Sequence, residues 1–241
     1  MSRIPVCSAC LTLPQPLEAE CFCASCGTPF VESYPLDQQG VCQPCRENAV
    51  HFDAAYSFGS YDHPLQDLIH LFKYAKIESL AEPLGRLLLR ALPRGVEFDM
   101  VLAMPMHWRK RWDRGFNQAE LLAAPVARKL GLKVSGSLRR TRHTQAQAGL
   151  SEAERKTNLK GAFAVRNPAQ IAQKRILLVD DVFTTGATLR AATEALKSAG
   201  AAHVSVLTLA RVGHRSKQDF ASHSSEIGRH PTKAVELTEA S

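Results

Sequence analysis

The sequence predicts an α/β protein: a parallel, twisted sheet with flanking helices and a flexible flap, joined to a small cysteine-rich module. Three observations lead there. Ile176 to Val179 is an unbroken apolar run, followed by two carboxylates, a loop of threonines and glycine, and a helical pattern. A run without polar alternation suits a strand buried on both faces, as in a parallel sheet. Asp99 to Met104 opens a second passage with the same order of strand, polar loop and helix. All seven cysteines fall between Cys7 and Cys45, ahead of both passages.

The module comes first in the chain. Cys7 and Cys10, Cys23 and Cys26, and Cys42 and Cys45 form three C-x₂-C pairs, with Cys21 left over. Each such turn sets two thiolates on one side of a metal, and two turns complete a tetrahedral zinc site. Cys26-Gly27 reads as the end of a zinc knuckle, with Cys42 and Cys45 as its natural second pair. Cys7 and Cys10 substitute for either pair, or join Cys21 or another ligand in a second site; the spacing leaves both open. A redox reading fits poorly, because no βαβ pattern surrounds any pair. With so few apolar positions, this segment needs metal to fold.

A chain of 241 residues holds one sizeable α/β core plus such a module. No apolar run approaches a membrane span, and residues 1–19 lack the apolar core of a secretory signal. The expected location is the cytoplasm, where cysteines serve metal or chemistry rather than disulfides. The net charge is +7. The segment from His214 to Ser241 holds four basic and four acidic residues, so the whole excess lies upstream. Much of it sits in two clusters, 109–114 and 139–142. Such clusters suit a polyanion, either pyrophosphate or nucleic acid.

Phe52 to Tyr61 reads as the first strand of the main domain. His63-Pro64 then starts an amphipathic helix with Leu65, Leu68, Ile69, Leu71 and Phe72 on its apolar face. His63 and His70 read as capping or solvent-facing rather than metal-binding. Residues 80–92 form a second helix, with Pro83 near its start. The strand Asp99–Met104 runs into a basic loop containing Arg109, Lys110 and Arg114, and a helix begins near Phe116. This is a candidate anion site. Its rival is a nucleic-acid surface, with Trp108 and Trp112 stacking bases between arginines. Trp112 is expected to pack against the domain.

Residues 139–163 are polar, basic and rich in small residues as far as Gly149, which suits a mobile flap. Ser151 with Glu154 forms a capping box for a short helix there. The strand Ile176–Val179 follows. Its helix carries Leu189, Ala192, Ala195, Leu196 and Ala199, and stops at Gly200. Residues 201–209 are the closing strand. From about Gly213 the chain turns polar and aperiodic, as expected of a disordered tail.

The chemistry concentrates between Asp180 and Thr188. A loop that opens a helix points unpaired N–H groups and the positive dipole end at a phosphate. Gly186 lets the backbone approach closely, and the hydroxyls of Thr184, Thr185 and Thr188 add donors. Asp180 and Asp181 would repel the anion itself. They make sense gripping sugar hydroxyls, or a hydrated Mg²⁺, one phosphate-to-sugar distance away. Together these parts read as a site for a ribose 5-phosphate.

This stretch resembles the phosphoribosyl pyrophosphate (PRPP) motif of type I phosphoribosyltransferases. The resemblance implies that Asp180 and Asp181 meet the ribose hydroxyls, and that Thr184, Thr185, Gly186, Ala187 and Thr188 cradle the 5′-phosphate. It widens with Pro105, Arg114-Gly115-Phe116-Asn117-Gln118, Gln147, Leu150-Ser151, Arg155, Asn158 and Phe163. This combination is similar to the ComF family of competence-associated proteins, which join an N-terminal zinc ribbon to a type I phosphoribosyltransferase-like domain. The implied organisation is a zinc ribbon over 1–50, the transferase-like domain over 51–213 and a polar tail over 214–241.

The implied activity, where there is one, is Mg²⁺-dependent phosphoribosyl transfer from PRPP with release of pyrophosphate. In that reading Asp180 and Asp181 are the catalytic pair, Arg109, Lys110 and Arg114 meet the pyrophosphate, and Gln147 and Arg155 belong to the flap. The family also implies DNA uptake, in the cytosol beside the import machinery. The alternative is a non-catalytic factor whose retained fold binds single-stranded DNA and protein partners. A PRPP-sensing regulator ranks last, because no helix-turn-helix segment is present.

Overall fold

The computed structural model describes residues 5–33, 36–47, 52–141 and 161–213. The chain starts with a short helix α1 (Ser8–Thr12), a hairpin of β1 (Cys21–Phe22) and β2 (Pro29–Phe30), and a helix α2 (Gln43–Glu47). Strand β3 (Ala54–Ser60), helix α3 (Leu65–Lys73), a 3₁₀ turn (Glu78–Leu80) and helix α4 (Ala81–Ala91) follow. Next come β4 (Met100–Ala103), α5 (Trp108–Arg114), α6 (Gln118–Lys129), β5 (Val134–Ser135) and β6 (Leu138–Arg140). The described chain ends with β7 (Phe163–Val165), α7 (Pro168–Ile171), β8 (Arg175–Phe183), α8 (Ala187–Ser198) and β9 (His203–Arg211).

The core is a five-stranded sheet in the order β3-β9-β8-β4-β5, with every pair parallel. Ile176, Leu177, Leu178 and Val179 on β8 are fully buried, as are Val204, Val206, Leu207 and Leu209 on β9. The unbroken apolar runs therefore do what a doubly covered sheet requires of them. From β4 the chain winds outward to β5, then returns to the other side of β4 for β8 and β9. The winding direction reverses between β4 and β8. In open α/β sheets, ligands bind in the crevice outside the carboxyl ends of the strands at such a reversal.

The structure refines several sequence expectations. The apolar stripe of α3 buries Leu65, Leu68, Ile69 and Phe72, but Leu71 is exposed. His63 and His70 face solvent as expected, held near Asp67 (2.5 Å) and the Tyr61 hydroxyl (3.0 Å). The basic loop after β4 contains helix α5, and α6 starts only at Gln118. Asn117 caps α6: its Oδ1 accepts from Ala119 N at 3.1 Å, and its Nδ2 donates to the Met104 carbonyl at 3.0 Å. Trp112 does not pack. It is 85% exposed and Trp108 is 64% exposed, because their i, i+4 spacing turns both rings to one solvent-facing side of α5. The tail over 214–241, the flap residues Gln147 and Arg155, and the capping pair Ser151 and Glu154 lie outside the described residues. So do the side chains of Arg109 and Lys110.

The cysteine module docks on β3, an edge strand that would otherwise offer unpaired backbone groups. Leu17 N donates to the Phe58 carbonyl at 2.7 Å. Gly27 approaches so closely that a Cβ there would stand 2.2 Å from the Ala55 carbonyl oxygen. Among the described residues, no helix is long and apolar enough to cross a membrane.

Candidate functional site

Strand β8 reaches further than its apolar run. Val179 pairs with Ala103 on β4, where β4 ends, but Asp180, Val182 and Phe183 still pair with Thr208, Ala210 and Arg211 on β9. The acidic pair thus lies on the strand, beside the place where β4 has stopped, rather than in the loop. The gap beside it is a cleft of about 160 Å³, lined by Met104, Pro105, Arg114, Gln118, Asp180, Asp181 and Thr188 among others. Lys73 and Arg140 line it too.

The cleft sets cations against the acids. Lys73 Nζ lies 2.9 Å from Asp181 Oδ2. Burial, and then the neighbouring Asp181, push the Asp180 carboxyl up to about 7; Lys73, Arg140 and the Asp181 N–H pull the other way. Burial lowers the Arg140 pKa, and the Asp180 charge opposes that. Arg114 stands 5.5 Å from the Tyr74 ring centroid and donates to Gln118 Oε1 at 3.2 Å.

Beyond Phe183 the chain turns through Thr184 and Thr185 into α8. Gly186 is the N-cap, with φ +72°, a left-handed conformation that side-chain-bearing residues rarely adopt. A Cβ there would stand 2.7 Å from Phe183 Cζ and 3.4 Å from Arg190 Nη1. Thr185 Oγ1 accepts from Ala187 N at a long 3.4 Å. This N-terminus, flanked by Thr188 and Arg190, suits a phosphate.

β6 and β7 pair antiparallel, with Arg140, which lines the cleft, opposite Phe163. Arg140 lies 5.5 Å from the Phe163 ring centroid. A larger cleft of about 440 Å³ is lined by residues of the cysteine module and of β3. Among the described residues, Arg90 is the one charged residue in its lining.

In the N-terminal module the sulfurs of Cys23, Cys26, Cys42 and Cys45 all lie within 4.8 Å of one another. The first three cysteines are buried. Cys26 and Cys42 Sγ are 3.8 Å apart, the edge of a tetrahedron whose Zn–S bonds are about 2.3 Å. Hydrogen bonds with Cys26 and Cys45 hold Cys23 well below the usual thiol range, and the same sharing pushes Cys45 up. Four crowded sulfurs competing for protons are the donor set that a soft divalent cation relieves. Cys7 and Cys10 lie 3.1 Å apart, exposed and outside that group.

Known proteins resemble this chain in sequence. The phosphoribosyl transferase domain family matches residues 117–231. DNA utilization protein YhgH of Escherichia coli is 33% identical over 213 residues, covering 86% of this chain and 90% of the relative. Competence protein F of Haemophilus influenzae is 30% identical over 214 residues, with the same coverage. The chain belongs to the ComF family. Among solved structures, glutamine phosphoribosylpyrophosphate amidotransferase from B. subtilis is similar at 23% identity and a TM-score of 0.39, over 54% of this chain and 26% of its own.

Of the site residues expected in this ComF chain, the fold brings Asp180, Asp181, Arg114 and Thr188 to one cleft and sets Thr184, Thr185, Gly186 and Ala187 beside it. It gathers four of the six paired cysteines. Sequence reasoning missed Lys73, Gln118, Arg140 and Arg190 as site residues. Arg140 and Gln118 lay inside stretches already singled out. Lys73 carried no signal beyond a basic residue at a helix C-terminus.

Proposed function

We propose that this ComF protein binds PRPP with its Mg²⁺ in the cleft between β4 and β8. The acidic pair at the winding reversal carries the reading, because carboxylates beside a phosphate-suited helix start need a polyol to grip. Asp180 and Asp181 accept the ribose hydroxyls. Thr184 to Thr188 hold the 5′-phosphate, with Arg190 beside them. Arg114, with Arg109 and Lys110 on the same helix, faces the pyrophosphate. Mg²⁺ brought in with PRPP would supply charge stabilisation for the departing pyrophosphate. Where transfer follows, the bond from ribose C1 to pyrophosphate breaks, a bond to the acceptor nucleophile forms, and the acceptor's proton is released. Gln147 and Arg155, the flap candidates of the sequence, lie outside the described residues.

Zinc in the N-terminal ribbon is structural, held by Cys23, Cys26, Cys42 and Cys45; the sulfur separations support this set. A second reading is a cytosolic DNA-uptake factor that handles single-stranded DNA beside the import machinery. The exposed ring of Trp112, set among arginines, favours it, since an exposed aromatic face can stack on a base.

Asp180→Asn and Asp181→Asn test the PRPP reading. Each loses a charge-assisted hydrogen bond of roughly 1.5–3 kcal/mol, so Mg-PRPP affinity falls ten- to a hundredfold. Inorganic phosphate needs neither carboxylate, so its binding survives or tightens as repulsion is removed. Unchanged PRPP affinity would make the carboxylates structural.

A further inference from the structure

We propose that Lys73 is the docking charge for the diphosphate end of PRPP, with Arg114 and Gln118 completing that subsite. The inference rests on the PRPP reading and goes beyond it, assigning a residue far from the motif and a step of partner exchange.

Lys73 ends α3, and only 13% of its side chain is exposed; Asp181, its partner, is 16% exposed. Each neutralises the other across 2.9 Å. A ligand that brings hydroxyls for Asp181 and phosphate oxygens for Lys73 lets both exchange partners, so neither charge is left unpaired in a partly dry site. A lysine kept only to orient Asp181 would sit beside that carboxylate whatever stood opposite. Among the described lining residues it shares the cleft with two further cations, Arg114 and Arg140, against one acidic pair. A net positive lining attracts an anion.

Gln118 supplies an independent observation. It is 1% exposed, lines the cleft, and its Oε1 accepts from Arg114. A guanidinium only donates, so the amide oxygen must face it and the amide nitrogen is left over. That buried Nε2 has no hydrogen-bond partner among the described residues. Buried polar groups are nearly always paired, so a donor left over in a cleft wall awaits an acceptor. Phosphate oxygens accept and never donate when ionised, which fits a wall of three donors.

Lys73→Gln is the variant of choice, because the amide still donates to Asp181 while the charge is gone. Calorimetry compares Mg-PRPP with ribose 5-phosphate, which has no diphosphate. The expected result is a loss of roughly ten- to a hundredfold in PRPP affinity, with ribose 5-phosphate affinity nearly unchanged. Lys73→Arg should restore much of the loss, and Gln118→Leu should weaken PRPP alone. Circular dichroism melting confirms that each variant folds. Equal weakening of both ligands by Lys73→Gln, or of neither, would overturn the inference and leave Lys73 a partner of Asp181 only. If the wild type binds no PRPP at all, the PRPP reading itself falls, and the inference with it.

Discussion

Asp180 carries two burdens, its burial and its neighbour. Its carboxyl is pushed from an ordinary 3.8 up to about 7. Between those values the folded protein binds more protons than the unfolded chain, so stability falls as pH rises from about 4 to about 7, then levels. Asp180→Asn, neutral throughout, should therefore melt above the wild type at pH 8, with the advantage shrinking toward pH 4. Melting curves across that range check it; a difference independent of pH would mean that Asp180 is solvated and unstrained. Gly186 is the complementary residue. Gly186→Val meets a left-handed backbone and a Phe183 ring 2.7 Å from its Cβ. It should abolish binding of both Mg-PRPP and ribose 5-phosphate, whereas the acidic-pair variants leave inorganic phosphate binding intact. Retained ribose 5-phosphate binding would place its phosphate elsewhere than the loop.

Among the elements, the sheet's uneven strand ends make the cleft: β4 stops at Ala103 while β8 and β9 run on together. Helices α4 and α6 pack against each other at Gly85, where a Cβ would meet Pro125 Cγ at 2.3 Å. Helix propensity favours alanine over glycine by about 1 kcal/mol. A stiff proline ring cannot move aside, and overpacking costs typically 1–3 kcal/mol. Gly85→Ala should thus lower the melting temperature; a rise would show that α6 yields. Local runs were legible from sequence, as between Ile176 and Thr188, because strand, acids, loop and helix are contiguous there. The C-x₂-C pairs were legible for the same reason. The end of β8 was not, since a strand runs on only where a neighbour still pairs with it, and that pairing comes from β9 across an intervening helix. Lys73 was hidden likewise: only the order β3-β9-β8-β4-β5 brings the end of α3 to the acidic pair. Trp112 misled because an aromatic residue usually marks packing, while α5 turns it to solvent.

At the scale of the molecule, one buried arginine joins ribbon and core. Arg211, at the end of β9, donates to the Cys26 carbonyl and to Thr28 Oγ1 (3.1 Å). Its guanidinium lies 3.7 Å from the Phe183 ring centroid. Cys26 Sγ in turn contacts Thr28 Oγ1 at 2.9 Å. The sulfur cluster thereby sets the groups that hold Arg211, and Arg211 holds the ring packed under Gly186. Purified protein should contain about one zinc per chain. Chelation should lower the melting temperature of the whole chain, as should Arg211→Met, which strands two acceptors at a cost on the order of 3 kcal/mol. A metal-free protein that melts unchanged would refute a structural zinc. The central claim is that a phosphoribosyl site lies at the winding reversal. Calorimetry of zinc-loaded wild-type protein with Mg-PRPP tests it most directly, with ribose 5-phosphate and oligo-dT as controls. Saturable PRPP binding, tighter than that of ribose 5-phosphate, is the predicted result. Oligo-dT binding with no PRPP binding would contradict it and leave the fold serving nucleic acid instead.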